Sequence, residues 1–222
     1  MAELIADLSV VRADVSSPST LGAERGRFVG PSCGVPASRA RVPAHDGAVV
    51  TRLLLVSDTH VPARARRLPD DVWRAVDAAD VVVHAGDWVD VATLDALEER
   101  AARLVGVVGN NDGPALRARL PEVARVVVEG LRVAVVHETG AAAGRERRVD
   151  ARTDLHVDGR RPDLLVFGHS HVPWDAVSPA GTRLLNPGSP TDRRRQPVCT
   201  LMTALVDGDV LRDVALVPVV RD

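Results

Sequence analysis

The sequence contains no lysine and no tyrosine, and only two phenylalanines and two cysteines in 222 residues. The lysine-type charge is carried by arginine throughout, which we read as a compositional bias rather than a functional signal. Cys33 and Cys199 cannot build a disulfide framework, and they stand in no CxxC pair of the zinc-ribbon kind. Two unrelated thiols in a reducing cytoplasm are expected. No apolar run approaches the ~20 residues of a membrane helix, so no spanning helix is expected. No basic segment followed by an apolar run opens the sequence, so a secretory signal is not expected either. The net charge of −2 leaves no global basic field, and with so few aromatics it argues against an extended nucleic-acid groove. There is no internal repeat and no catalytic-cysteine context.

What is present is apolar content, 45% of residues, sufficient for one sizeable core. Residues 1–49 stand apart. Ser16 to Gly47 is rich in Gly, Pro and Ser and weak in hydrophobic periodicity, so a flexible leader is expected, with Leu4 to Val15 as a strand or short helix. Residues 50–222 are expected to form the functional domain. There the pattern is regular: Leu53–Val56, Val81–Val83 and Leu104–Val108 are apolar runs separated by two helical segments, one opened by Pro69 and one over Val91 to Ala102. Strand, helix, strand, helix, strand implies a parallel sheet with crossover helices. Hairpins are then expected around Glu129-Gly130 and Asp207-Gly208, with a strand at Leu164–Phe167 and a strand pair around Pro179-Ala180-Gly181. The Arg-rich stretch from Gly144 to Arg161 reads as partly helical.

The residues that terminate these strands carry the chemistry. The first run ends in Asp58-Thr59-His60, the second in Gly86-Asp87, the third in Gly109-Asn110-Asn111-Asp112, the hairpin in His137, and the next strand in Gly168-His169-Ser170-His171. Ligands in open α/β sheets gather outside the carboxyl ends of strands. Carboxylate oxygen and neutral imidazole nitrogen without thiolate suit Mn²⁺, Fe, Zn²⁺ or Ni²⁺, whereas so many histidines disfavour Mg²⁺ or Ca²⁺. Any one of these pieces has a bland reading as a cap, turn former or core histidine; their joint occurrence in order is what carries weight. His84 is expected to be structural, and His45 and His156 solvated.

Asp58-x-His60, Gly86-Asp87, Gly109-Asn110, His137, Gly168-His169-x-His171 and Asn186-Pro187-Gly188-Ser189 resemble, in order, the motifs of the calcineurin-like metallophosphoesterases, and among them the small bacterial and archaeal phosphodiesterases. The resemblance covers about Arg52 to the C-terminus. It implies an α/β (α+β) fold, the two-sheet αββα sandwich of that superfamily. It implies two divalent metal ions per chain, Mn²⁺ foremost with Fe, Ni or Zn as alternatives. Asp58, His60 and His171 would hold one, Asn110, His137 and His169 the other, and Asp87 would bridge them. It further implies hydrolysis of P–O bonds by a metal-bridging hydroxide, with no side-chain nucleophile.

Two departures bear on activity. Many members of the wider superfamily carry a histidine where Asn111 stands, and an asparagine cannot act as an acid, so esters with good leaving groups are expected to react faster. Glu138 stands where glycine is usual. Arg193, Arg194 and Arg195 either contact phosphate or form a solvated basic loop; Asn111 and Arg194 are the expected substrate contacts. Trp88 either walls the pocket or packs in the core, and Trp73 is expected in the core. The expected partner is a small phosphodiester, with no extended nucleic acid and no membrane; a homo-oligomer is left open. The alternatives are a phosphomonoesterase acting on proteins or nucleotides, and a non-catalytic scaffold like the retromer subunit of this fold.

Overall fold

A computed structural model of the chain describes residues 50–220. The expected leader of residues 1–49, with Cys33 and His45, lies outside the described residues. The chain runs β1 (Val50–Val56), α1 (Asp70–Ala78), β2 (Val81–His84), α2 (Val91–Arg100), β3 (Leu104–Gly106) and α3 (Pro114–Arg117). The hairpin β4 (Val123–Val128) and β5 (Leu131–Val136) follows, then α4 (Arg145–Asp150) and a 3₁₀ turn, Thr153–Leu155. The remaining strands are β6 (Leu164–Val166), β7 (Trp174–Val177), β8 (Arg183–Asn186), β9 (Cys199–Asp207) and β10 (Val210–Val219).

Two five-stranded mixed sheets result, in the orders β10-β9-β1-β2-β3 and β4-β5-β6-β8-β7. In the first, β1, β2 and β3 are parallel and β9 runs antiparallel to β1. In the second, β5, β6 and β8 are parallel, with β4 and β7 as antiparallel edges. The sequence of β1 shows why the sheets are covered on both faces. Leu53 and Leu55 point into the core shared with Val133, Val135 and Val166 of the second sheet. Leu54 and Val56 point the other way, onto Val72 and Val76 of α1 and Leu94 and Leu97 of α2. A strand buried on both faces reads as a continuous apolar run, and each of its leucines contributes about 1.5–3 kcal/mol by burial. The outer face of the second sheet packs through Leu165 and Phe167 onto Val149 and Leu155. The architecture is therefore helix, sheet, sheet, helix, as expected.

The helices are pinned at their starts. Asp90 caps α2 by accepting hydrogen bonds from the Ala92 and Thr93 backbone N–H groups; α1 begins after Pro69 with Asp70 and Asp71 against the positive end of its dipole. The third run leaves the ladder after Gly106, earlier than its apolar length indicates, because the Val108 N–H turns to the Pro121 carbonyl at 3.0 Å. Trp73 is half-buried at the rim of the α1 core, under the Arg100 guanidinium 5.1 Å from its ring. No described helix is long and apolar enough to cross a membrane.

Candidate metal centre

The parallel strands of both sheets deliver their carboxyl ends to one place, and there the backbone is bent in an uncommon way. Asp58, His60, Asp87, His169 and His171 have φ of 54°, 44°, 61°, 69° and 57°. Five of the seven expected ligands thus occupy the left-handed region, at a cost on the order of 1–3 kcal/mol each for a residue with a Cβ. Surrounding hydrogen bonds hold them there. The Asp58 N–H donates to the Gly86 carbonyl at 2.9 Å and the His60 N–H to the Asp87 carbonyl at 3.0 Å. The His169 N–H donates to both Asp58 carboxylate oxygens, at 3.1 and 3.0 Å. The Ser189 and Thr191 hydroxyls donate to the carbonyls of Asp58 and Thr59, each at 2.7 Å. The Asn-Pro-Gly-Ser segment therefore braces the exit of β1.

All seven side chains come together. His60 Nε2 lies 3.1 Å from His171 Nε2 and 3.9 Å from Asp58 Oδ1, and His171 Nε2 lies 3.3 Å from the same oxygen. Asn110 Oδ1 is 3.0 Å from His137 Nε2 and 2.9 Å from His169 Nδ1. Between the groups stands Asp87, whose Oδ2 is 3.5 Å from His60 Nε2 and 3.4 Å from His137 Nε2. Ligands bound about 2.0–2.2 Å from one cation sit roughly 3–3.5 Å from each other, so these spacings fit a shared ion. Asp58, His60 and His171 form one group able to hold a metal; Asp58, Asp87 and His137 form another that is also mutually close.

The imidazole protons are placed for coordination. His171 Nδ1 faces the Asp192 carbonyl at 2.8 Å, and His137 Nδ1 faces the Ala85 carbonyl at 2.8 Å. A carbonyl only accepts, so Nδ1 carries a proton and Nε2 is the nitrogen turned inward, where it would coordinate a metal. His84 has the opposite arrangement. Its Nδ1 accepts from the Gly86 N–H at 3.2 Å, so its Nε2 donates to the Thr59 hydroxyl at 3.1 Å. Complete burial, reinforced by the nearby His137 and His60 and only partly opposed by Asp87, lowers its pKa to about 3. His84 is thus a neutral brace for the residue between two candidate ligands, which is the structural role its sequence indicates. Trp88 stacks on it, ring centroids 3.5 Å apart, and donates its indole N–H to the Val107 carbonyl at 2.8 Å. Of the two readings of Trp88, core packing is the one realised.

Burial alone would raise the Asp87 pKa, but contact with His137 and two donors from Asn111 overcome it and hold the carboxyl below the usual carboxylate range. Burial likewise opposes charge on His137, yet Asp87 and Asp58 prevail and raise its pKa. At His60 burial wins over the same carboxylates and the pKa falls. Neutral His60 is the form that binds metal.

Two supports were not legible as such. The Asp112 carboxylate accepts from the backbone N–H groups of Gly109 at 2.7 Å, Val89 at 2.8 Å and Asp87 at 3.2 Å, tying the exits of β2 and β3 together. Its place two residues after Asn110 was the available signal. Arg117 donates from Nε to the Asp112 carbonyl at 3.0 Å and from Nη2 to the Gly109 carbonyl at 2.9 Å, clamping the turn that presents Asn110; nothing in the sequence marks it. Arg117→Met is expected to weaken metal binding at the Asn110 group about tenfold while sparing the Asp58 group, the scale typical of residues that orient ligands. Calorimetric metal titration checks this, and equal loss at both groups would count against the clamp.

Asn111 lies at the centre but its amide is engaged: its N–H donates to Asp87 Oδ1 at 2.8 Å and its Nδ2 to Oδ2 at 2.7 Å. Arg194 is exposed on the loop beyond Asp192, whose carboxylate accepts from the Arg194 backbone N–H at 3.2 Å. Glu138 is open to solvent, 4.0 Å from His169 Nε2, with their side chains 57% and 43% exposed. A groove of about 310 Å³ opens beside Asn110 and His137 and is lined also by Arg117, Glu122, Glu138 and Arg152.

Comparison with known proteins identifies relatives of the chain. The profile of the Calcineurin-like phosphoesterase superfamily domain matches residues 52–209. A probable metallophosphoesterase of Methanocaldococcus jannaschii, MJ0623, is 30% identical over 167 residues, 74% of this chain and 80% of that one. Among solved structures, Thermotoga maritima protein TM1076 is 33% identical with a TM-score of 0.59, over 76% of this chain and 99% of that one. Vps29 of Entamoeba histolytica, solved in complex with Zn²⁺, superposes with a TM-score of 0.59 over 76% of this chain and 98% of that one. At 20% identity, that last likeness is one of fold alone.

Proposed function

The chain belongs to the calcineurin-like phosphoesterase superfamily, and from that premise we propose that it is a cytoplasmic phosphodiesterase dependent on two divalent metal ions, Mn²⁺ foremost with Fe, Ni or Zn as alternatives. Asp58, His60 and His171 hold one ion, Asn110, His137 and His169 the other, and Asp87 lies between. The observation that carries this reading is the position of Asp87, one carboxylate oxygen of which faces a nitrogen of each ligand set at 3.5 and 3.4 Å. The donor set of carboxylate, amide oxygen and neutral imidazole fits such ions. When bound, the metal pair polarises the phosphoryl oxygen and activates water for attack at phosphorus.

The protein's own residues do the rest. Asp58, Asp87 and His171 are buried and rigidly hydrogen-bonded, so the ligands need little reorganisation. His169, nearly half exposed, marks the open face by which substrate enters. The groove beside Asn110 and His137 offers room for a second ester substituent, which favours a diester over a monoester. Asn111 orients Asp87 and offers no acidic proton to the departing oxygen.

A nitrophenyl phosphodiester is therefore expected to be hydrolysed with Mn²⁺, not with chelator, and at least tenfold faster than a simple alkyl diester and than the matching monoester. Equal rates for the nitrophenyl and alkyl diesters would remove the leaving-group argument. Preference for the monoester would make the chain a phosphomonoesterase. Bound metal without hydrolysis of any ester would point to a scaffold.

A further inference from the structure

The surroundings of the centre are electrostatically lopsided. On the side of Asn110 and His137 the groove mixes Glu122 and Glu138 with Arg117 and Arg152. On the side of His60 and His171 two loops meet. Residues 61–68 leave His60 carrying Arg64, Arg66 and Arg67, and residues 191–197 carry Arg193, Arg194 and Arg195; all six are exposed. The loops are joined by Arg64 Nε and Asp192 Oδ2 at 3.5 Å. The carbonyl of the same Asp192 accepts a hydrogen bond from His171 Nδ1 at 2.8 Å. The arginine rim thus begins one residue past Asp192, the hydrogen-bond partner of a candidate ligand, and its far end, Arg195, is three residues past Asp192, within about 11 Å of chain.

Two of these six guanidinium groups sit in ion pairs here, Arg64 with Asp192 and Arg67 with Asp70, the latter pair 3.8 Å apart. The whole chain carries a net charge of −2, and eight arginines elsewhere sit in ion pairs with Asp or Glu. The side chains of Arg66, Arg194 and Arg195 make no hydrogen bond or ion pair among the described residues. Like charges gathered in one place destabilise a fold slightly, so packing does not account for these three. They suit a phosphate, which guanidinium binds in bidentate fashion.

We infer that the rim formed by Arg64, Arg66, Arg67 and Arg193 to Arg195 binds a second phosphate group of the substrate, beside the phosphodiester that is cleaved. This rests on the phosphodiesterase reading and narrows its substrate to phosphodiesters that carry a further phosphate, as a short 5′-phosphorylated nucleotide fragment does. The opposite side, with as many carboxylates as guanidinium groups, offers that group no excess of cations, so the rim also sets the direction in which such a substrate lies.

The test uses the full chain loaded with Mn²⁺ and two thymidine dinucleotides that differ only in a 5′-phosphate. The phosphorylated one is expected to have a kcat/KM about tenfold higher at low salt. The ratio should fall toward one as salt screens the rim, and in the double variant Arg66→Gln, Arg195→Gln. Each ratio is read against cleavage of bis-nitrophenyl phosphate by the same protein, so a general loss cancels. Calorimetric binding of both dinucleotides in the presence of chelator gives a readout without turnover: the phosphorylated one should bind tighter to the wild-type chain, and the difference should vanish in the double variant. Equal kcat/KM and equal affinity for the two dinucleotides, or a preference that survives both substitutions, overturns the inference. Failure to cleave any of the three esters, with metal bound, instead overturns the phosphodiesterase reading, and the binding difference still decides the rim.

Discussion

Asp87→Asn is expected to reduce kcat/KM on a nitrophenyl phosphodiester by about a thousandfold or more, equivalent to roughly 4 kcal/mol of transition-state stabilisation, without unfolding the chain. The substitution keeps size and shape at a buried position. What it changes is charge and donor polarity. The carboxylate accepts from the Asn111 N–H on one oxygen and from Asn111 Nδ2 on the other; an asparagine amide has one oxygen to offer, and in either orientation its own NH₂ would face one of these donors. His60 and His137 also lose the anion that faces both of them at 3.5 and 3.4 Å. Because Asp87 faces both ligand sets, the metal content should fall from two ions per chain to one or fewer, not merely the rate. Elemental analysis with parallel kinetics measures both. A variant that keeps two metals and more than about a tenth of the activity would show that Asp87 does not join the sites.

Much of this arrangement was legible because it is carried by local signals. The β4–β5 hairpin appears where Glu129-Gly130 separates two apolar runs, with Val128 paired to Leu131 and Glu129 at a φ of 54°. Every expected ligand stands just past a strand that was readable from its apolar run, and the parallel topology carries those ends to one side. What escaped the sequence is long-range or depends on backbone groups. Arg117 acts on two carbonyls, and no side-chain pattern announces a carbonyl. Asp112 looks like any turn aspartate until the exits of β2 and β3 are seen to meet at it. The role of Trp88 turned on whether the ring faced solvent or His84, which periodicity does not decide. The irregular register between Arg212 and Ala215 in β10 left no mark beyond a charged pair inside an apolar run. Periodicity reports which face is buried, not which distant loop completes a site.

Gly109→Ala should be nearly as damaging as loss of Asp87, for a steric reason. A Cβ at Gly109 would lie 2.1 Å from Asp87 Oδ1 and 2.3 Å from the Asp87 backbone nitrogen, and one of these is main chain that cannot swing aside. Gly109 itself cannot back away. Its N–H is bound by the Asp112 carboxylate at 2.7 Å and its carbonyl by Arg117 at 2.9 Å. The methyl must therefore displace the Asp87 carboxylate or the turn that presents Asn110. Overpacking of this kind costs about 1–3 kcal/mol of stability, with Tm lowered by roughly 2–4 °C per kcal/mol for a chain of this size. A displaced shared carboxylate costs activity far out of proportion, at least a hundredfold, together with metal occupancy at both ligand groups. Gly113→Ala is the control from the same turn: a Cβ there meets nothing within 4 Å, so stability and hydrolysis should be close to those of the parent. If the two alanine variants behaved alike, the close approach of Gly109 to Asp87 would not be what makes glycine necessary. If Gly109→Ala lost stability but kept full activity and two metals, the carboxylate would have room to move without consequence, and its position between the histidines would not be the feature on which hydrolysis depends.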